Sequence, residues 1–441
     1  MFIKKPENHY RVVIVGSGPA GLSLAQRLSR NGHSGILVVE SGQLEYDQKQ
    51  NHLGQIEAQG DLPSSYFQQH SPRLFGGASA LWGGFCAVLE ERNFSEGLWP
   101  FPYTEVSRYY ADAATILELP DSAWQKRIVP IDNSDDIVYR PFYLSPPVRF
   151  GEKFLPLASE SESFSVLTGH TITRVNVDDG RVRNLNIADQ DGHEIQVSAD
   201  FCVLAAGGIQ NARLLQLSNL GGQHCGKHFI DHPHIYGYGK IMVNKAIVNA
   251  SRQTSGRRVD ALQLSDAFCI RHKIPSISVM LNDGRDDRGL ADAGDGMLQL
   301  NVDILGEMAS GGSNRIYLSA NHDDWLKQAY TAIDFQFDYR SALKKAWLLF
   351  GEALLRSGLG RVSSYSDDYS LTGGGHMIGT TRMGRSLADS VVDVDCKVHG
   401  TEDLYVSGSS VFPSGGSVNP TFTLVALAVR LAEHLSTRLK T

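Results

Sequence analysis

The chain runs to 441 residues with 41 Lys and Arg against 48 Asp and Glu, a formal net charge of −7, so it offers no basic field to hold nucleic acid or an anionic membrane. Hydrophobic residues at 42% and charged residues at 20% describe an ordinary globular protein, long enough to bury two substantial cores. Cys86, Cys202, Cys225, Cys269 and Cys396 are odd in number and lack C-x-x-C spacing, which argues against a disulfide framework and against a zinc site. The segment MFIKKPENH ahead of the first strand is too short and polar for a secretory signal. The longest apolar stretch, inside the last helix, is about ten residues and cannot span a bilayer. No membrane span and a cytoplasmic, reducing location are the expectations.

In chain order, Arg11–Val15 is a short apolar run, followed at once by Gly16-Ser17-Gly18-Pro19-Ala20-Gly21 and a helical pattern through Leu28. A second run, Ile36–Val39, ends in Glu40, nineteen positions beyond Gly21. This order predicts a dinucleotide-binding unit: one glycine for the tight turn, one for close approach of the backbone to a pyrophosphate, one for helix-sheet packing, and an acid for the ribose hydroxyls. The motif does not separate FAD from NAD. Residues 71–84, SPRLFGGASALWGG, form a loop whose four glycines let backbone approach a flat ligand, unless it is a plain surface loop. Residues 97–110 start a helix after two prolines. Ser163–Val197 reads as short strands with a turn at Asp178–Gly180. Phe201–Ala206 is then a buried strand that runs through Gly207-Gly208 into a helix over Ile209–Leu217, a second strand-glycine-helix unit of the kind a discontinuous nucleotide domain requires.

Between about 230 and 366 the texture changes. Leu298, Leu300, Val302 and Ile304 alternate with Gln299, Asn301 and Asp303, and Ile333, Phe335, Phe337 and Tyr339 alternate with Asp334, Gln336 and Asp338. Strict alternation predicts sheets with one packed and one polar face. That polar face is either solvated or roofs the ligand; in the second case Gln299, Asn301, Gln336 and Asp338 are candidates to hydrogen-bond a polyhydroxylated substrate. His232 and His234 in DHPH have a spacing compatible with a metal, but no third ligand is evident, so a structural or supporting role is expected and no metal.

The most informative stretch is the last. A histidine in a glycine-rich turn, GGGHMIGTTRMG at 373–384, is followed by a strand and then by Asn419-Pro420-Thr421 opening an apolar helix to about Leu435. Pro420 suits the first helical position, so Asn419 reads as the N-cap, unless its side chain faces a ligand. The positive end of that helix favours an anion, or a ring that becomes anionic on reduction.

Together these segments resemble the glucose-methanol-choline (GMC) oxidoreductase family, and within it the branch containing pyranose 2-oxidase and membrane-associated sugar and polyol dehydrogenases. The likeness rests on Gly16–Gly21 with Glu40, RLFGGASALWGG, WPFPYTEVSRYY, VLAAGGIQNARLL, and most specifically HMIGTTRMG with LYVSGSSVFPSGGSVNPTFT. Residues from roughly 232 to 366 match only in strand pattern and in NRIYLS at 314–319. The resemblance implies an α/β fold: a discontinuous FAD-binding Rossmann-like domain (1–231, with loop excursions at about 45–70 and 100–150, and 367–441) plus a substrate-binding domain with a largely antiparallel sheet (232–366). It implies FAD as cofactor, held by Gly16, Gly18, Pro19, Ala20, Gly21, Glu40, Ser41, Arg73, Gly77, Ser79, Trp82, Gly83, Ala206, Gly408, Ser409, Asn419, Pro420 and Thr421. Pyranose 2-oxidase-like members attach the flavin through a histidine just before the loop tryptophan. Leu81 stands there in this chain, so dissociable FAD is expected.

His376 falls on the family's catalytic histidine and Asn419 on its partner, which implies oxidation of a CH–OH group to a carbonyl. A neutral imidazole can take the hydroxyl proton near neutral pH, while an amide N–H and a helix end steady developing negative charge. The expected partners are a small hydroxylated substrate, such as a sugar, glycoside or polyol, and an electron acceptor that is O2, a quinone or a separate redox protein. Three alternatives stay open: a flavin-containing lyase of the same fold without net redox turnover, an NAD-dependent dehydrogenase, and a noncatalytic flavin-binding protein.

Overall fold

Residues 12–15 are apolar on both sides of the chain and therefore need cover on both faces, which a parallel sheet supplies. In the computed structural model they lie in the strand His9–Val15, with Val12, Val13 and Ile14 fully buried. The structure describes residues 1–440 except 96, 126–127, 147–148, 253–256, 282–290, 310–311, 338–339 and 367–368. Five parallel strands stand in the order Phe164–Leu167, Ile36–Val39, His9–Val15, Glu194–Leu204, Leu404–Val406. A crossover on each side of His9–Val15 makes this the doubly wound arrangement, whose crevice opens at the carboxyl ends of the strands. Thr171–Asp178 and Arg181–Ala188 extend the sheet as antiparallel neighbours around the Asp179-Gly180 turn.

The helix Pro19–Arg30 begins with Pro19 at its first turn, as its fixed φ favours. Gly21 shows why a glycine is needed: a Cβ there would lie 2.0 Å from the Gly16 carbonyl oxygen, prying the helix off the turn. Alongside it runs the terminal helix Thr421–Arg438, whose Phe422, Val425, Ala426, Val429 and Leu435 are buried. Glu433 on this helix accepts from Arg27 and Asn31. The two glycine-flanked termini thus meet in one layer although they lie some 400 positions apart.

The second sheet is antiparallel, in the order Gly360–Tyr365, Pro233–Asn244, Met297–Gly306, Ile277–Met280, Arg258–Leu264, Ser134–Leu144, Phe85–Cys86. It therefore takes strands from residues 85–144 as well as from the middle of the chain. Register sets its two faces. His234 stands opposite Leu305 and Tyr236 opposite Asp303, and Met280 also pairs with Asp303. The neighbouring positions Ile235, Val302, Ile304 and Val279 point the other way and are buried, because side chains alternate across a strand. The helix Arg340–Arg356 packs near this sheet, with Trp347 edge-on to Tyr238 at 5.6 Å.

The alternation over 331–337 is real, with Ile333, Phe335 and Phe337 buried, but its strand, Ala329–Phe335, belongs to a separate three-stranded sheet between Arg315–Asp323 and Ile56–Gly60. Among the described residues, no helix is long and apolar enough to cross a membrane.

Candidate active site

A cavity of about 770 Å3 begins at the carboxyl ends of the parallel strands and runs beneath the polar face of the antiparallel sheet. Val15, Val39, Leu204 and Val406 end four of those strands, and the residues that follow them, Gly16, Glu40, Ala205 with Ala206, and Ser407 with Gly408, line the near end. Of the positions expected to touch the cofactor, all line this cavity but Gly21, which sits behind the glycine turn.

The near end suits a dinucleotide. Glu40 is buried, and its Oε2 accepts from the Ser17 backbone N–H at 3.0 Å and from Ser17 Oγ at 2.7 Å, while Oε1 accepts from the Gly42 N–H at 2.8 Å. A carboxylate has about four acceptor positions, so capacity remains for ribose hydroxyls. Arg73 donates to Ser41 Oγ (2.8 Å), Gln210 Oε1 (2.9 Å) and the Leu53 carbonyl (3.2 Å). Burial, followed by the nearby Arg213 cation, pulls it down to about 10, which leaves it charged at neutral pH. Its buried Nε has no protein partner, and neither does His234 Nε2. A buried polar atom without a partner is costly, and both residues face the cavity, so a polar ligand suits them. The helix Pro19–Arg30 points its N-terminus at this end, where an anionic diphosphate is favoured.

At the far end the chain brings together residues from three distant segments. His376 Nε2 lies 3.2 Å from Asn419 Nδ2, and His376 Nδ1 lies 2.8 Å from His232 Nδ1. The N-cap of the last helix is Pro420, with no side-chain cap bond; the Asn419 amide is turned to His376 instead. The GGGH turn is held from below by Asp231. Its Oδ1 accepts from the backbone N–H groups of His232, Gly374 and His376 at 2.7, 3.2 and 2.9 Å, and its Oδ2 accepts from Tyr66 Oη at 2.5 Å. Gly374 needs to be glycine, since a Cβ there would fall 2.6 Å from His376 Nδ1 and 2.7 Å from His234 Nε2. Burial, followed by the neighbouring His232, His234 and His70 rings, holds the His376 imidazole well below the usual histidine value. His234 is pushed down to about 4, again chiefly by burial. Both rings are therefore neutral at pH 7, and a neutral imidazole is a proton acceptor.

Asn301 lines the cavity; Gln299 and Gln336 do not. Gln299 shares the face of Asn301 but lies one pleat further along the strand, roughly 7 Å away. Gln336 follows the strand of the three-stranded sheet, where its backbone pairs with the Asn314 side chain. Asp338 falls outside the described residues. Sequence reading missed His70, Tyr236 and Met280, which line the cavity, and the Asp231–Tyr66 pair beneath it; it placed Asp303, also in the lining, on the polar face without making it a candidate. Asp303 and Tyr236 carried a signal: each stands two residues from a position already singled out. Among the described residues the three-ligand grouping nearest to a metal site is Asp189, Asp191 and His193, on an exposed turn away from this cavity.

Two families match the chain: pyridine nucleotide-disulphide oxidoreductase over residues 10–248, and GMC oxidoreductase over residues 321–428. Paromamine 6'-oxidase of Streptomyces fradiae is 24% identical, the alignment covering 96% of this chain and 91% of that protein. The 6'''-hydroxyparomomycin C oxidase of Streptomyces lividus is 28% identical over 97% of this chain and 91% of that protein. In fold the chain is similar to pyridoxine 4-oxidase from Mesorbium loti, with a TM-score of 0.60 at 17% identity, covering 96% of this chain and 99% of the other. With a strand-turn-helix dinucleotide unit at one end and the GMC match at the other, the chain belongs to the GMC oxidoreductase family of FAD-dependent enzymes.

Proposed function

We propose that this protein oxidises a CH–OH group of a sugar, glycoside or polyol to a carbonyl, with His376 as the base and Asn419 as its hydrogen-bonding partner. The observation that supports this most is the 3.2 Å approach of His376 Nε2 to Asn419 Nδ2 beneath a sheet face that carries Tyr236, Asn301 and Asp303. When bound, FAD supplies the two-electron acceptor for a hydride leaving the carbinol carbon. His376 Nε2 takes the hydroxyl proton, and the Asn419 amide N–H donates to the oxygen as negative charge grows on it. The polar groups of the roof orient the remaining hydroxyls, and the cavity walls keep bulk water from the reacting oxygen. The relatives named as oxidases of paromamine, of 6'''-hydroxyparomomycin C and of a C-glycoside favour a sugar-bearing substrate and the sugar-oxidising branch of the family.

The test is anaerobic addition of paromamine, glucosamine, glucose, a glucoside and glycerol to the yellow protein. Loss of the flavin absorbance bands with at least one of the sugars is expected. Bleaching by none of them, or only by NADH, overturns the reading.

In this reading residues 1–231 and 367–441 hold the cofactor and 232–366 the substrate. The flavin is held without a covalent bond, because Leu81 is exposed at the cavity rim where an attaching histidine would stand and an aliphatic side chain cannot form the link. Acid precipitation is expected to leave the flavin in the supernatant; colour retained on the precipitated polypeptide would contradict this. A cytoplasmic location agrees with five buried cysteines that form no disulfide.

A further inference from the structure

We propose that His232 is a positioning residue that fixes the tautomer of His376, so that the Nε2 lone pair of His376 faces the substrate hydroxyl. The inference rests on the reading of His376 as the base, and it follows from one chain of hydrogen bonds in which each direction is forced by the one before.

It starts at a backbone carbonyl. His232 Nε2 lies 3.0 Å from the Gly415 oxygen, which can only accept, so Nε2 carries the proton. His232 is almost wholly buried. Burial lowers its affinity for a second proton, against the opposing pull of Asp231. Its Nδ1 is then a lone pair, and the 2.8 Å contact with His376 Nδ1 requires His376 to be the donor. With Nδ1 protonated and the ring neutral, His376 Nε2 is the acceptor, and the Asn419 amide donates to it at 3.2 Å. The other titratable groups facing His376 are His70 and His234. His70 directs Nδ1 to the Tyr66 carbonyl at 2.7 Å, and neither ring contacts His376 closely enough to compete for Nδ1: the His234 and His376 ring centres are 5.8 Å apart, against 4.9 Å for His232 and His376. Asp231 cannot take over the role, because its carboxylate is engaged by three backbone N–H groups and by Tyr66.

A histidine in the wrong tautomer is present but useless as a base, as the tautomer effects in serine proteases show. If His232 were a cation, or were replaced by an apolar residue, His376 would lose the acceptor that holds its proton on Nδ1. Proton removal from the alcohol would then fail even with every other contact in place.

The test compares His232→Leu, which removes the acceptor, with His232→Asn, which offers an amide oxygen near the place of Nδ1; both lose the bond to Gly415. The first readout needs no turnover: ring 15N shifts of His376 in the resting protein, assigned by their disappearance in His376→Asn. Wild type is expected to show a protonated Nδ1 and a bare Nε2, and His232→Leu a rising Nε2–H population. The second is the limiting rate of anaerobic flavin reduction with whichever of the five compounds above bleaches fastest. It should fall about 10²-fold in His232→Leu, at nearly unchanged substrate affinity, and recover in part in His232→Asn. A wild-type His376 protonated on Nε2, or full reduction rate in His232→Leu, overturns the proposal. Should His232→Leu not fold, the wild-type shifts alone decide. If His376→Ala reduces flavin at full rate, the base assignment fails; if it is inactive while His232→Leu is not, only the role of His232 fails.

Discussion

His376→Ala is expected to lower the limiting rate of flavin reduction by about 10²–10⁴-fold, the range for losing a general base, while FAD stays bound. The rate should fall because the neighbouring rings are set back from Asn419: His234 lies to the side of the His376 ring, and His232 meets that ring at Nδ1, not at the Nε2 that Asn419 contacts. FAD should stay because Glu40, Ser41 and Arg73, which hold the near end, are tied to the glycine turn and the 71–84 loop and not to His376. Stopped-flow absorbance under argon measures the first, and the flavin-to-protein absorbance ratio of the purified variant the second. The wild-type pH profile tests the same assignment. The neutral ring is the active form and its affinity for a proton is held below the ordinary histidine value. The reduction rate should therefore be level above that value and decline only as pH falls through the lowered one, so the acid limb lies below about pH 6.5. His376→Ala should lack this limb. A variant that reduces flavin at the wild-type rate would remove His376 from the mechanism.

What could be read from the sequence alone was what depends on local geometry. The turn at Gly16–Gly21 with Glu40 at the end of the next strand is one continuous supersecondary unit, and its spacing carries the whole arrangement. The same holds for the strand at 297–305, where alternation marks one polar face. Alternation does not say what lies above that face, or which sheet a strand joins. Asn301 and Gln336 carry the same local signal, yet one roofs the cavity and the other borders a sheet built with Ile56–Gly60. Asn419 posed a similar choice, because Asn-Pro-Thr satisfies the rules for a helix start whichever way the amide points. The structure decides it through a partner 43 positions earlier in the chain. The contact of His232 with His376 spans 144 positions, and no periodicity or motif spacing links the two. Asp231 and Tyr66 were hidden for the same reason: they act on backbone N–H groups, so they leave no side-chain pattern to detect.

Glu40→Ala should raise the dissociation constant for FAD by about 10²–10³-fold while leaving the chemistry of the filled site nearly intact. Three donors converge on this buried carboxylate, the Ser17 N–H, Ser17 Oγ and the Gly42 N–H. Ser17 Oγ in turn accepts from the Gly76 N–H at 3.2 Å, so Glu40 ties the glycine turn to the loop that covers it. Alanine leaves those donors without an acceptor and deletes the group suited to the ribose hydroxyls. Hydrogen bonds to a charged group contribute about 1.5–3 kcal/mol each, and loss of one or two against the bound ribose gives the stated change in affinity. Glu40→Gln keeps the shape and one carbonyl oxygen but turns an NH2 toward existing donors, so it should fall between. Titration of the apoprotein with FAD, followed by flavin fluorescence, measures the constant. Thermal unfolding should begin lower in Glu40→Ala and climb back as excess FAD is added, since a ligand that binds only the folded chain stabilises it in proportion to the logarithm of its concentration. With FAD in saturating excess, flavin reduction should return to within a few-fold of wild type, because His376 and Asn419 lie at the other end of the cavity. A saturated Glu40→Ala that remained as slow as His376→Ala would mean that the glycine turn and the catalytic end are coupled, and that Glu40 positions the ring as well as the ribose.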